Sequence, residues 1–137
     1  MKKVWHARRN DPEHKFHVSV ARYLRLALPV DACFSTTPTV GSSLLQGAKL
    51  KARGYVAGWP DITLVYQGRA YFLELKAPQG GAVSPEQRAC HMALYRSGCL
   101  VGLARDLSDV QFWLEQWLIP LRATVDPKSI TGARSVA

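Results

Sequence analysis

One segment, from Gly54 to Lys76, reads GYVAGWPDITLVYQGRAYFLELK and combines strand-forming runs with two acids and a lysine. Its two runs of apolar and β-branched residues flank Gln67-Gly68-Arg69, which is typical of a turn. Asp61 stands at the head of the first run, and Glu74 stands near the tail of the second. The segment therefore predicts a β-hairpin with an acid at each of its open ends.

The two open ends of this hairpin are predicted to meet. In an antiparallel pair the start of one strand lies beside the end of the next, so Asp61 and Glu74 converge. Side chains alternate along a strand, so Glu74 and Lys76 share one face while Leu73 and Leu75 take the other. We expect the apolar face to enter a core and the charged face to meet water or substrate.

An acidic pair beside a lysine favours a metal site. Two carboxylates held close together repel each other, and one lysine does not neutralise both, so a divalent cation is needed to stabilise them. Hard oxygen ligands completed by water suit Mg²⁺ or Mn²⁺. Such an ion activates a water and stabilises the charge that develops on a phosphodiester, while Lys76 orients or helps to deprotonate that water. The implied chemistry is phosphodiester hydrolysis.

A simpler interpretation of the same residues stays open. Asp61 after Pro60 can act only as a turn former, and Glu74 and Lys76 can form a solvated strand face. Charged faces are common on sheets with one side in water, so the bare pattern of an aspartate followed by Glu-x-Lys favours this interpretation.

The composition predicts a single compact domain with a polyanionic partner. The chain has 137 residues, of which 47% are hydrophobic, and a formal net charge of +8. A chain of this length can bury a core without disulfides. Its positive charge favours nucleic acid, although ribosomal, membrane-surface and merely soluble proteins share it. We predict a basic arm over residues 1–10, the domain over 11–121, and a polar, partly disordered tail over 122–137.

The cysteines and the hydropathy indicate a cytoplasmic protein without a membrane partner. The three cysteines are odd in number and lack Cys-x-x-Cys spacing, so we interpret them as reduced packing residues. No apolar run approaches the length of a membrane span, and no apolar signal-peptide core follows the lysine-rich start.

A helix is predicted from Pro12 to about Ala27. Asp11 has the N-cap position, and Glu13 lies in the first turn, where the helix dipole favours an acid. Helical spacing also places Glu13 on the apolar stripe, where an acid is unexpected. Either Glu13 lies at the edge of the helix without a role, or it contributes to a functional site.

A basic segment precedes the hairpin. Residues 44–53 predict a short helix on which Lys49 and Arg53 share a face, with Lys51 nearby. Most such runs are solvated surfaces, but this one leads into the loop before the hairpin, so we expect it to contact DNA phosphates without reading bases. Trp59 in that loop either stacks on a base or ribose or packs as an ordinary aromatic residue.

The remaining elements alternate between helix and strand. Ser84-Pro85-Glu86-Gln87 is typical of a helix N-terminus with a capping box, and Gln87 also lies on the stripe that we expect to face the sheet. Residues 99–104 are continuously apolar, which favours an interior strand parallel to its neighbour because a helix precedes it. Residues 106–118 predict a last helix, whose apolar surface covers the core or a second subunit. With a first strand over 31–37, the order is α, β, a possible α, β, β, α, β, α.

Several separated motifs share their order and intervals with a known family. They are Gly54, Gly58-Trp59-Pro60-Asp61-Ile62, Phe72-Leu73-Glu74-Leu75-Lys76-Ala77-Pro78, Gly81, Ser84-Pro85-Glu86-Gln87 and Gly98. Together they resemble the VRR-NUC nucleases of the PD-(D/E)xK superfamily, and the likeness runs from Phe16 to Trp117. Trp59 departs from the family pattern, which more often has a small aliphatic residue there.

This resemblance implies a restriction-endonuclease-like α/β core with a mixed β-sheet flanked by helices. It implies that Mg²⁺ or Mn²⁺ is held by acidic side chains and one carbonyl group, those of Asp61, Glu74, Glu13 and Leu75. It also implies that Lys76 orients and polarises the attacking water, and that Gln87 positions the water or the scissile phosphate.

The resemblance further implies a metal-dependent DNA endonuclease. Small stand-alone members of the family act as symmetric dimers, and a two-fold dimer places two cutting sites on opposite strands, as resolution of a four-way (Holliday) junction requires. Cleavage of flaps or other branched DNA is the enzymatic alternative. A non-catalytic DNA-binding module of a replication or repair assembly is the alternative from another class. We expect a homodimer in the cytoplasm, of bacterial or phage origin.

Overall fold

The computed structural model describes residues 11–38 and 44–126. Its elements follow the predicted order. They are α1 (Pro12–Ala27), β1 (Cys33–Thr36), α2 (Leu44–Ala52), β2 (Ile62–Tyr66), β3 (Arg69–Leu75), α3 (Pro85–Arg96), β4 (Leu100–Ala104) and α4 (Leu107–Gln116). The predicted arm over 1–10, most of the loop before α2 and the tail from 127 onward lie outside the described residues.

The sheet is mixed and has the strand order β1-β2-β3-β4. The first three strands are antiparallel, and β4 runs parallel to β3, as predicted for a strand that follows a helix. Gln67 and Gly68 join β2 to β3 with φ angles of 47° and 75°, and two positive φ angles are typical of a type I′ hairpin turn. Ile62 pairs with Leu73, so continuing this register places Asp61 opposite Glu74.

The helices begin where their capping residues predict. The Asp11 side chain accepts hydrogen bonds from the backbone N–H groups of Glu13 and His14 at the start of α1. Ser84 caps α3 within a complete capping box, and Asp106 caps α4 by accepting from the Asp109 N–H group. Short polar side chains thus satisfy helix ends that the backbone leaves unpaired.

The two faces of the sheet are covered by different helices. Alternate residues of β3 carry Leu73 and Leu75 into the main core with α1 and α4, where they are 0% and 4% exposed. Phe72 points to the other face, where it packs with Cys90 and Leu94 of α3. The charged face of β3 is expected to meet water or substrate, and the part of this expectation that concerns water is wrong for Glu74, which is 2% exposed. The reason is that α3 covers this face.

The aromatic residues of α4 are used largely within the chain. Trp113 lies against Gly102 of β4 so closely that an added Cβ at Gly102 would lie 2.6 Å from the indole ring. Trp113 also donates a hydrogen bond to the Leu103 carbonyl and stacks on Trp117. This matches the interpretation of α4 as a core helix, although Phe112 remains half exposed.

Packing continues past the predicted domain boundary at residue 121. The side chain of Arg122 donates hydrogen bonds to the carbonyl oxygens of Leu28 and Arg25 at the end of α1, and its N–H group donates to Ala27. Arg122 therefore closes the last turn of α1, and Ala123 and Val125 pack against the main core.

Two further features complete the fold. Cys33 is exposed on the edge strand β1, so the interpretation of all three cysteines as packing residues is wrong at this position. In the described part of the chain, no helix is both long and apolar enough to cross a bilayer.

Candidate active site

Asp61 is held at the point where β2 begins. Its Oδ2 atom accepts a hydrogen bond of 2.8 Å from the backbone N–H group of Leu75 at the end of β3. Its carbonyl oxygen accepts from the N–H group of Thr37, whose hydroxyl donates to the Pro60 carbonyl. Bonds to two neighbouring strand ends therefore fix the position of the aspartate.

Glu74 is the buried charged residue of the described chain. Its Oε1 atom accepts a 2.8 Å hydrogen bond from Nε2 of Gln87 and lies 3.7 Å from the Lys76 ammonium nitrogen. Its Oε2 atom is buried without a hydrogen-bond partner among the described residues, and it lies 3.5 Å from Nε2 of His91. A buried carboxylate oxygen without a hydrogen-bond partner is costly, which makes this oxygen a candidate ligand for a cation.

Gln87 connects the lysine, the glutamate and the helix end. Its Oε1 atom accepts from the Lys76 ammonium group at 2.8 Å and from the Ser84 N–H group at 2.9 Å. Its Nε2 group donates to Glu74. The side chain of Gln87 therefore caps α3 and also contacts the charged residues of the site.

Gly58 allows the loop before Asp61 to lie directly on the start of α3. Its φ angle is +82°, and an added Cβ would lie 2.6 Å from backbone atoms of Glu86 and Gln87. Only glycine combines this conformation with such a close approach at low energy. The contact brings the aspartate loop and the first turn of α3 to the same end of the sheet.

Burial and negative charge make Glu74 a weak acid in the metal-free protein. Burial, together with the charge and hydrogen bonding of Asp61, raises the pKa of Glu74 to about 8, and Lys76 opposes this shift in part. Burial and the positive charge of Lys76 lower the pKa of His91. Near neutral pH the site therefore carries less negative charge than its two carboxylates suggest.

These residues fit a small divalent cation. Asp61 and Glu74 supply hard carboxylate oxygens, of which Oε2 of Glu74 takes part in no hydrogen bond with the described residues, and Leu75 follows Glu74 directly in the chain. A cation would replace the proton that the raised pKa of Glu74 retains. Within the described ranges no three His, Cys, Asp or Glu side chains are grouped closely enough to hold a metal ion. The predicted donor set therefore relies on a carbonyl group and water beside the two acids.

The structure does not bring Glu13 into this group. Glu13 is exposed in the first turn of α1 and borders a shallow depression with Asp11, His14 and His17. Its exposed place in the first turn of the helix corresponds to the interpretation without a catalytic role.

The predicted DNA contacts lie on the surface. Lys49, Lys51 and Arg53 are exposed on α2 and directly after it. Trp59 packs edge-on against Phe72 with 5.5 Å between ring centroids, and 37% of the residue is exposed. The packing interpretation of Trp59 is therefore confirmed for one side of the ring, and the other side is open to solvent.

Two residues at the site were not identified from the sequence. His91 lies one helical turn after Gln87, so the spacing of four along α3 was the available signal for it. Arg105 follows β4 directly, beside the Ala104 carbonyl that accepts a hydrogen bond from the Lys76 N–H group. A single arginine after a strand has no distinctive pattern, because its role depends on the loop that it contacts.

The sheet and its acidic end define the class of fold. An antiparallel hairpin continued by a parallel strand, with helices on both faces and acids at the hairpin ends, is a restriction-endonuclease-like core, as predicted. Among solved structures the chain is similar to a VRR_NUC domain protein, with a TM-score of 0.64 and 19% sequence identity over 80% of this chain and 89% of the other. No family model matches the sequence, and no curated protein matches it. The structural likeness shows the fold.

Proposed function

We propose that this protein is a Mg²⁺- or Mn²⁺-dependent DNA endonuclease. The observation that carries the proposal is the buried Glu74 carboxylate. It lies opposite Asp61 in the sheet register and is linked through Gln87 to Lys76, and one of its oxygens has no hydrogen-bond partner among the described residues. A structural charge cluster gains nothing from such an oxygen, because an unsatisfied buried acceptor lowers stability. The fold shared with a VRR_NUC domain protein supports the nuclease part of the proposal.

Each residue has a task that follows from its contacts. Asp61 and Glu74 would hold the cation together with the Leu75 carbonyl. The cation, when bound, supplies Lewis-acid activation of water and stabilises the charge of the reacting phosphate. Lys76 orients the attacking water through its ammonium group, and Gln87 fixes the direction of that group by accepting its hydrogen bond. Nε2 of His91 lies 3.5 Å from the Oε2 atom of Glu74.

The proposed substrate is branched DNA, and the proposed assembly is a homodimer that resolves four-way junctions. The net charge of +8 supports binding to the phosphate backbone. A two-fold dimer would place two sites on opposite strands, which paired incisions require. A nuclease for flaps or other branches is the alternative with the same chemistry, and a non-catalytic DNA-binding module is the alternative without it.

A metal-dependent cleavage assay tests the proposal. Wild-type protein should cut a four-way junction in Mg²⁺ or Mn²⁺ and should be inactive with a chelator. Lys76→Ala and Asp61→Ala should each lower the rate by a factor of about 10³ or more, whereas Arg96→Ala in the last turn of α3 should cut normally. Comparing the cleavage rates of a four-way junction, a flap and a linear duplex at equal concentration shows which DNA structure the protein prefers. Cleavage by Lys76→Ala at the wild-type rate would contradict the proposed mechanism.

Isothermal titration calorimetry separates the enzyme from a binding module. If the protein is an enzyme of this kind, the wild type should bind Mn²⁺ and the Asp61→Ala variant should not. Thermal unfolding of both proteins should give similar temperatures, which shows that the variant is folded. DNA binding without any metal binding would favour the non-catalytic module. A monomer in light scattering, with and without DNA, would contradict paired incisions while leaving the nuclease chemistry in place.

A further inference from the structure

We propose that Arg105 is a positioning residue that fixes the glycine loop 77–81 against Lys76. This inference rests on the proposed function of Lys76. The Arg105 guanidinium donates hydrogen bonds to three carbonyl oxygens of the loop, those of Ala77 at 3.0 Å, Gly80 at 2.5 Å and Gly81 at 2.9 Å. Two consecutive glycines, Gly80 and Gly81, favour flexibility in this loop, and the hydrogen bonds of a single side chain oppose it.

Arg105 is itself held firmly at the junction of three elements. Its N–H group donates a 2.8 Å hydrogen bond to the Asp109 carboxylate in the first turn of α4. The preceding residue, Ala104, accepts the backbone hydrogen bond of Lys76 through its carbonyl oxygen. The guanidinium therefore projects from a rigid base beside the catalytic lysine, which is what a positioning residue requires.

The loop that Arg105 holds lies close to the lysine side chain. An added Cβ at Gly81 would be in van der Waals contact with Cδ of Lys76, at 3.7 Å, so Gly81 faces the aliphatic part of the lysine. The lysine side chain is only 15% exposed, and its ammonium group is directed to Gln87. Gly80 and Gly81 both have positive φ angles. A pair of glycines samples many other conformations, so the three hydrogen bonds from Arg105 select this one.

These contacts distinguish Arg105 from a phosphate-binding arginine. An arginine near a nuclease site is expected to contact the DNA backbone, because its fork of donors matches phosphate oxygens. Here three of those donors point at loop carbonyls. Arg105 therefore acts on the orientation of Lys76. Its loss should lower the cleavage rate of the bound complex more than it lowers the affinity for DNA.

The test compares Arg105→Met with a matched substitution, Arg88→Met. Arg88 donates one exposed hydrogen bond to the carbonyl oxygen of Val83, two residues beyond the end of this loop. Arg105→Met should lower kcat for junction cleavage about tenfold and leave KM within about twofold of wild type, since a misplaced catalytic group affects the reacting complex. Arg88→Met should change kcat by less than about twofold. Arg105→Lys keeps a charged donor but not the planar guanidinium group. Its kcat should lie between those of Arg105→Met and wild type.

NMR relaxation of the loop backbone gives a measurement that does not depend on cleavage. The order parameters of Gln79, Gly80 and Gly81 should be about 0.85 in wild type and should fall below about 0.6 in Arg105→Met, because the loop loses the three hydrogen bonds that hold it. Unchanged order parameters would overturn the inference.

The cleavage assay gives two further outcomes. An unchanged kcat of Arg105→Met, in a protein whose wild type cuts DNA, would also overturn the inference. A raised KM with a weaker salt dependence would overturn it in favour of a phosphate contact. If wild type did not cut DNA at all, the proposed function would fail, whereas lowered order parameters would still establish that Arg105 holds the loop.

Discussion

The Lys76 ammonium group donates a 2.8 Å hydrogen bond to Oε1 of Gln87, which ties the end of β3 to the first turn of α3. The same glutamine donates to the buried carboxylate of Glu74. One neutral side chain thus fixes the direction of both charged groups, and it does so from a helix that the capping box already positions.

Removing this link should impair cleavage more than it impairs folding. We expect Gln87→Ala to lower kcat about 10- to 100-fold, because the lysine and the glutamate lose their common partner. Ser84→Ala is the matched control, since it removes the capping oxygen but leaves the amide of Gln87. Each variant should lose about 1 kcal/mol of stability. Steady-state kinetics and thermal unfolding check both values, and equal losses of kcat in the two variants would contradict the role of Gln87.

Metal-free protein should become less stable as the pH rises from about 6.5 to about 8. The pKa of Glu74 is raised from 4.5 to about 8 in the folded chain, mainly by burial and then by Asp61. Between these values the folded protein retains a proton that the unfolded chain has released, so increasing pH favours unfolding. The lowered pKa of His91 has the opposite effect, but that effect is complete above about 6.5.

Urea unfolding at several pH values measures this dependence, with Glu74→Gln as the control. The free energy of unfolding of wild type should fall across the window, and that of Glu74→Gln should stay nearly constant. Mg²⁺ binds the ionised carboxylate, so it should raise the unfolding midpoint of wild type more at pH 8 than at pH 6. Parallel pH profiles for the two proteins would show that Glu74 does not titrate in this range.

Gly58→Ala should destabilise the protein and slow cleavage together. The added methyl group would meet backbone atoms of Glu86 and Gln87 at 2.6 Å, and backbone atoms at the start of a helix move only with the helix. We expect a loss of about 2–4 kcal/mol from strain and overpacking. Gly54→Ala is the control, because Gly54 also has a positive φ angle but nothing lies within 4 Å of its added Cβ.

Gly54→Ala separates the cost of a positive φ angle from the cost of the steric clash with α3. Gly54→Ala should lose only about 1 kcal/mol and should keep its kcat. Chemical unfolding and cleavage rates give the two quantities for each variant. Similar losses at both glycines would mean that the contact between the loop and α3 has no part in placing Asp61.

The basic residues of α2 should affect DNA affinity rather than the chemical step. Lys49→Ala with Lys51→Ala removes two exposed charges, which should lower the slope of log affinity against log salt by about two units while kcat stays unchanged. Arg22→Ala with Arg96→Ala removes the same charge elsewhere and should have a smaller effect. Fluorescence anisotropy at several salt concentrations measures the slopes, and identical slopes in the two double variants would contradict a DNA contact at α2.

Much of the fold followed from local patterns. The hairpin turn, the register that sets Asp61 opposite Glu74, and the caps of α1 and α3 each depend on residues close together in the chain. Such features are set by backbone sterics and short-range hydrogen bonds, which the order of residues specifies directly. The parallel β4 followed for a related reason, because an intervening helix returns the chain to the same end of the sheet.

The environment of the site depended on how distant elements pack. No local pattern shows that α3 lies over the charged face of β3 and buries Glu74, that Arg105 holds the loop beside Lys76, or that Glu13 remains exposed at the end of α1. The amino-acid order thus established which groups stand at the ends of the hairpin. Their burial, their pKa values and their partners were established only by the folded chain, because desolvation and long-range contacts arise when separate elements come together.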